Sequence, residues 1–303
     1  MNRPVEKALG VDIGGTKTAV AVVDRSLKIF HSVEFSTPGD PAEASGRIKD
    51  EVRKLDPAGD LPVGIALCGL LSRDGTKLLM APNLKWKNIL IEDMFGWIKS
   101  PYTAVNDGTA AAWACYVSES GSGVSNLLSV TMGTGVGGGI IIGGSLLFGA
   151  GELGHVKLDP EGPPCGCGSR GCLETFIGGS YIPSRASDWC GLSVKTADEM
   201  FEMACGGDGK SLECWRRIGA LAGYALSGVV NLNGIEEISL GGTIATSAGR
   251  FFLDTLKGTL TENLMVPESQ RVNVHISRWK QNMSLAGAGA VVIEPPANKP
   301  CGA

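Results

Sequence analysis

Two glycine-rich loops, Asp12-Ile13-Gly14-Gly15-Thr16-Lys17 and Gly133-Thr134-Gly135-Val136-Gly137-Gly138-Gly139, each join two short β-branched runs, and a similar order of elements follows both. In the first half, residues 8–12, 18–24 and 29–35 read as successive strands, followed by a helix over 43–55. Strands at 63–67 and 103–106 then flank a helical segment near 91–99. In the second half, residues 127–132, 137–142 and 145–148 read as three strands, with Gly143-Gly144 as a two-residue hairpin turn. Helices dominate the remainder, with strands at 237–240 and 272–276 and a last apolar helix over 284–293. A four-residue connection joins only antiparallel neighbours, so each loop closes a hairpin. Two β-β-β-α-β-α units in one chain predict an α/β protein with two related lobes. At 303 residues the chain also exceeds what one hydrophobic core usually serves. The expected division is a small lobe of 1–108 plus the C-terminal helix 284–303, and a large lobe of 109–283.

Composition narrows the class. A hydrophobic fraction of 43%, a charged fraction of 19% and a net charge of -4 describe a folded, mildly acidic chain. No cluster of Lys and Arg offers the footprint of a nucleic-acid binder. No apolar stretch near the start has the length of a signal peptide, so a cytoplasmic location is expected. The uncharged run between Glu119 and Glu152 is interrupted by eleven glycines and does not suit a membrane helix.

Glycine lets backbone N–H groups converge on an anion, and the threonine hydroxyls add donors. Two such loops at equivalent places in a duplicated pattern therefore point to a polyphosphate ligand. The stretch from Ala204 to Ser211 approximates a P-loop, but it follows an amphipathic helical segment at 196–203 rather than a strand, and reads as a turn between helices. Asp107 follows Asn106 where a strand gives way to a helix. It suits either a helix cap or, beside two phosphate loops, the carboxylate that takes a hydroxyl proton in phosphoryl transfer.

Nine cysteines occur, and three of them, Cys165, Cys167 and Cys172, lie within eight residues in a glycine-rich loop. With His155 they make a Cys3His set, the usual composition of a closed structural zinc site, over a loop of 155–172. Cys68, Cys115, Cys190, Cys205, Cys214 and Cys301 are dispersed and read as ordinary thiols.

Taken together these motifs resemble the ROK family (repressors, open reading frames and kinases) across essentially the whole chain. The resemblance implies the two-lobed actin-like (ribonuclease H-like) ATPase fold and an ATP-dependent sugar kinase. Asp12 to Lys17 is similar to the family's first phosphate loop and Gly133 to Gly139 to its second. Gly241-Gly242-Thr243 is similar to its adenosine-side turn. Carried over position by position, the resemblance makes Asp107 the base that deprotonates the sugar's 6-hydroxyl. Gly69, Asn83, Asn106, Asp107, Glu152, His155 and Glu174 would surround the sugar. Asp12, Gly14, Gly15, Thr16, Lys17, Gly133, Thr134, Gly135, Gly241 and Gly242 would serve the nucleotide and its Mg2+. His155, Cys165, Cys167 and Cys172 would bind zinc, fixing the loop that aims Glu152 and Glu174. Because both phosphate loops lie outside 152–174, loosening the metal loop is expected to weaken sugar binding and spare ATP.

The cysteine spacing is similar to the glucokinase branch, which implies glucose; N-acetylmannosamine, fructose and allose stay open, as does polyphosphate as donor. Cys68-Gly69 replaces the family's usual Pro-Gly, and Asn106-Asp107-Gly108-Thr109 its usual Asn-Asp-Ala-Asn, so the sugar pocket departs from the pattern. A non-catalytic sugar sensor or a repressor is the rival reading. The early first loop leaves little room for a DNA-binding domain, and the phosphate-loop residues and Asp107 are all present. A homodimer is expected.

Overall fold

The computed structural model describes residues 4–267 and 270–298. It contains thirteen strands and nine α-helices among the described residues. The chain falls into two compact units: one takes in the residues up to Ser122, Gly139–Gly151 and those from Asn282 onward, and the other takes Gly123–Gly138 and Glu152–Gln281.

The first unit is built on β1 (Lys7–Ile13), β2 (Lys17–Asp24), β3 (Ile29–Ser36), α1 (Pro41–Leu55) and β4 (Val63–Leu67). It continues with the small strands β5 (Leu70–Leu71), β6 (Lys77–Ala81) and β7 (Trp86–Leu90), then α2 (Ile91–Phe95), β8 (Tyr102–Asn106) and α3 (Asp107–Ser118). The main sheet runs β3-β2-β1-β4-β8. The first three strands are antiparallel, and β1, β4 and β8 are parallel. Period-two alternation in β1 sends Leu9, Val11 and Ile13 into a core shared with Ile48 and Val52 of α1 and Phe95 of α2. The opposite face carries Ala8, Gly10 and Asp12. The helical segment expected at 91–99 stops at Phe95, and Gly96 follows it. The antiparallel sheet β5-β6-β7 was not anticipated; its strands are short and carry exposed Leu79, Met80 and Leu90.

The second unit holds β9 (Leu127–Met132), α4 (Glu174–Ile177), α5 (Ile182–Cys190), α6 (Ala197–Cys205), α7 (Gly209–Asn233), β12 (Glu237–Gly241), α8 (Gly242–Glu262) and β13 (Asn273–Ile276). The strands β10 (Val136–Ile142) and β11 (Ser145–Leu146), which from Gly139 onward count with the first unit, form a hairpin in register Ile142↔Ser145, turned by Gly143 and Gly144, both at positive φ. Strands β9, β12 and β13 are parallel. They are to this unit what β1, β4 and β8 are to the other. Helices α7 and α8 pack where Gly219 and Gly223 present bare backbone to the carbonyls of Phe252 and Leu256, with Trp215 stacked on Phe252. The P-loop-like stretch is the turn between α6 and α7, capped by Asp208.

The last helix, α9 (Met283–Ile293), belongs to the first unit, as does α3. The first unit thus takes in 109–122 and 139–151 beyond the expected 1–108 and the C-terminal helix. The reason is packing. Helix α3 is a run of small buried residues lying on α9, where Gly287 meets the carbonyl of Ala110, and Trp113 Nε1 donates to the Glu294 carbonyl at 2.7 Å. On the sheet side, Gly10 and Gly64 leave room for the carbonyls of Leu285 and Ala288. Cys301 lies outside the described residues.

Candidate active site

In the first unit, three adjacent parallel strands end side by side, which is where ligands bind in open α/β sheets. Asp12 pairs in register with Ala66, and Leu67 with Asn106; Cys68 follows with its N–H donated to the Ile13 carbonyl at 2.9 Å. Asn106 is the N-cap of α3: its Oδ1 accepts the Thr109 N–H at 3.1 Å while its Nδ2 donates to the Gly69 carbonyl at 3.0 Å. Capping is therefore done by Asn106, and Asp107 is the first helical residue. Burial, with the negative charge of Asp107, pushes the Asp12 carboxyl up to about 7. Burial and both carboxylates push the Cys68 thiol up as well. Asp12, Cys68 and Asp107 are thus electrostatic neighbours. A desolvated carboxylate beside a second acid is a hard-oxygen donor set that suits a divalent cation such as Mg2+.

The first glycine loop closes with the Gly14 N–H donated to the Lys17 carbonyl at 2.9 Å, and Thr37 Oγ1 donates to the Gly14 carbonyl at 2.8 Å. Gly15 lies against Asn83, where a Cβ would fall 2.7 Å from that of the asparagine, so the loop and the segment Pro82-Asn83-Leu84 are in contact. Thr16 is exposed. Lys17 Nζ is paired with Glu34 of the neighbouring strand at 2.6 Å, both side chains exposed.

In the second unit, Gly133 to Gly135 form the tight start of the other glycine loop, with the Gly133 N–H donated to the Gly135 carbonyl at 3.0 Å. Gly241 pairs with Thr131, and Gly242 opens α8. Gly242 has φ 85 and approaches the Met132 backbone so closely that no side chain would fit. The N-terminus of a 21-residue helix is thereby set beside the loop, a favourable place for an anion. A cavity of about 290 Å³ adjoins these residues, lined by Gly133, Thr134, Gly179, Ser180, Pro183 and Ile244 among others.

The same unit contains the cysteine loop. The donor atoms of His155, Cys165, Cys167 and Cys172 all lie within 4.8 Å of one another. Cys165 Sγ is 3.7 Å from His155 Nδ1, and Cys167 Sγ is 3.7 Å from Cys172 Sγ. A tetrahedral ion with the usual zinc bond lengths sets sulfur–sulfur and sulfur–nitrogen edges of about 3.6–3.8 Å, which these two pairs match, and the thiolate-rich donor set has the softness that suits zinc. The loop is tied at its base by the Leu173 N–H donated to the Val156 carbonyl at 2.8 Å. Lys157 Nζ lies 2.7 Å from Cys172 Sγ, a cation that offsets thiolate charge. The other ring nitrogen of His155 is 4.0 Å from Glu152 Oε2. Glu174 accepts the Val136 N–H on Oε2 at 2.9 Å.

A family model described as ROK family matches residues 8–294. The chain belongs to the ROK family. Over 310 residues it is 29% identical to a glucokinase of Streptomyces coelicolor, covering 95% of this chain and 98% of that one. Over 291 residues it is 32% identical to an N-acetylmannosamine kinase of Yersinia pestis, covering 93% and 97%. The crystal structure of a ROK family glucokinase from Streptomyces griseus in complex with glucose and AMPPNP superposes with a TM-score of 0.82 at 28% identity, over 94% and 98% of the two chains. The fold is the actin-like ATPase fold of the ROK sugar kinases.

Several residues of this ROK chain that stand at the site escaped the sequence reading. Lys157 gave no signal, being one lysine among many. The pair Gly178-Gly179, just after Glu174, did carry one: a glycine pair marks a close backbone approach, and here it meets the second glycine loop. Among the described residues, no helix is long and apolar enough to cross a membrane.

Proposed function

We propose that this ROK sugar kinase transfers the γ-phosphoryl group of ATP to the 6-hydroxyl of a hexose, most directly glucose. The observation that carries the reading is Asp107 itself: it starts α3 at the end of a parallel strand, with the capping duty taken by Asn106 and a second carboxylate, Asp12, as its electrostatic neighbour. In the proposed reaction Asp107 takes the hydroxyl proton, the sugar oxygen bonds to the γ-phosphorus, and the bond to the β,γ-bridging oxygen breaks to release ADP. Mg2+ would be organised by Asp12 and would neutralise charge on the phosphates. Gly14, Gly15, Thr16 and Lys17 are proposed for the nucleotide phosphates with Gly133, Thr134 and Gly135. Lys17 would exchange its surface pairing with Glu34 for phosphate. The cavity beside Thr134, with Gly241 and Gly242 nearby, has room for the nucleoside end of ATP and favours ATP over polyphosphate.

Gly69, Asn83, Asn106, Glu152, His155 and Glu174 are proposed for the sugar hydroxyls. His155 would serve zinc through Nδ1, the nitrogen that faces Cys165, and the sugar through Nε2. Zinc in the Cys3His cluster would be structural, since four protein ligands leave no open position. A cytoplasmic location and a homodimer are also part of the proposal. The likeness to an N-acetylmannosamine kinase supports a second reading, in which the acceptor is that amino sugar. A coupled ADP-release assay across glucose, N-acetylmannosamine, fructose and allose tests both. Turnover with none of them would overturn the kinase reading in favour of a sugar sensor.

A further inference from the structure

We infer that Glu174 is a positioning residue for the second phosphate loop, and that the four-donor cluster beside it sets nucleotide affinity as well as sugar affinity. The inference rests on the kinase reading above and reverses the expectation that the metal loop concerns the sugar alone.

The connection is built from three hydrogen bonds. Val136 N–H donates to Glu174 Oε2 at 2.9 Å, Gly179 N–H to the Gly133 carbonyl at 2.8 Å, and Ser180 N–H to the Thr134 carbonyl at 3.0 Å. The phosphate loop thus hangs on the segment 174–180 at both of its ends. The missing side chains agree with this. The Glu174 carboxylate occupies the space a Cβ on Gly135 would need, and a Cβ on Gly179 would fall 2.7 Å from the Gly133 carbonyl oxygen. Gly154, next to His155, presses on the Val136 carbonyl in the same way.

Metal ligands flank the brace on both sides. Cys172 is two residues before Glu174, and its carbonyl accepts the Thr175 N–H at 2.9 Å and Thr175 Oγ1 at 2.7 Å, which locks the turn that aims Glu174. His155 is one residue after Gly154. An ion binding His155 and Cys172 cross-links the two segments that touch Val136, and loss of the ion frees them to separate. Glu174 then has two tasks: Oε2 holds the loop, and Oε1 is left for the proposed sugar hydroxyl.

The test is calorimetric titration of full-length, metal-replete protein with Mg2+ and the ATP analogue AMPPNP in the absence of sugar. Glu174→Ala and the size-matched Glu174→Met are expected to bind AMPPNP about tenfold or more weakly, as loss of a part-buried hydrogen bond to a charged group implies. Glu174→Gln keeps an acceptor oxygen for Val136 N–H and is expected to recover most of that affinity. Stripping the metal with a chelator should weaken AMPPNP binding in the wild type and add little in Glu174→Met, because both act through one brace. AMPPNP affinity within twofold of wild type in Glu174→Met, or an equal loss in Glu174→Gln and Glu174→Met, overturns the inference. Failure of the wild type to bind AMPPNP overturns the kinase reading instead.

Discussion

Asp12 at the end of β1 is desolvated and feels the charge of Asp107, which follows β8 on the far side of β4, and together these push its carboxyl up to about 7. An unfolded chain releases that proton near 3.9. The folded, cation-free protein therefore holds the proton more tightly than the unfolded one. The resulting stabilisation is complete below about pH 4 and is lost as the pH rises through about 7. Urea denaturation in a chelator at steps from pH 4 to 8 should show this decline, and Asp12→Asn should remove that part of it. Magnesium should restore stability more at pH 8 than at pH 5. Identical pH profiles for the wild type and Asp12→Asn would refute the assignment.

Asp107→Asn keeps the shape of the first turn of α3 and removes the proposed base. The expected result is a fall in kcat of roughly 10²-fold or more, with AMPPNP affinity retained. Steady-state kinetics with the sugar found by the panel checks it, and turnover within a few-fold of wild type would reassign the base.

One zinc per chain is expected from elemental analysis of protein purified without chelators. Cys167→Ser should reduce that content sharply, since oxygen suits zinc less well than thiolate in this set. Wild-type protein that lacks zinc after growth in zinc-replete medium would refute the site.

Gly287→Ala places a methyl group against the Ala110 carbonyl in the contact between α9 and α3. Overpacking of this kind costs typically 1–3 kcal/mol, so the denaturation midpoint should fall while zinc content is kept. A midpoint equal to wild type would mean that the two helices part without cost.

Most strands of the two main sheets were legible because they are short runs rich in β-branched residues bounded by glycine or a polar turn, although the strand expected at 145–148 stops at Leu146. Strand β4, for instance, has the bounds expected of it. The place of Asp107 where a strand gives way to a helix was legible from the change in residue pattern, and the clustering of the cysteine loop from its spacing. What the sequence concealed was long-range: that α3 would join α9, and that Glu174 would reach the Val136 backbone. Both depend on backbones approaching where glycine removes the obstacle, and a glycine reveals that something comes close without revealing what. The small sheet β5-β6-β7 was hidden for a different reason. Its strands of two and five residues lie partly exposed and lack a sustained alternation of burial.

Helix α9 covers the Ala8, Gly10 and Gly64 face of the first sheet, yet it is synthesised after every residue of the second unit. On a ribosome making about 5–20 residues per second, the strands that emerge first must wait roughly ten to thirty seconds beyond α3 for the helix that covers them. The unit begun first is therefore the last to be completed. Until then its bare apolar face is a surface that a chaperone can hold, and a chain cut short before residue 283 would leave that face open permanently.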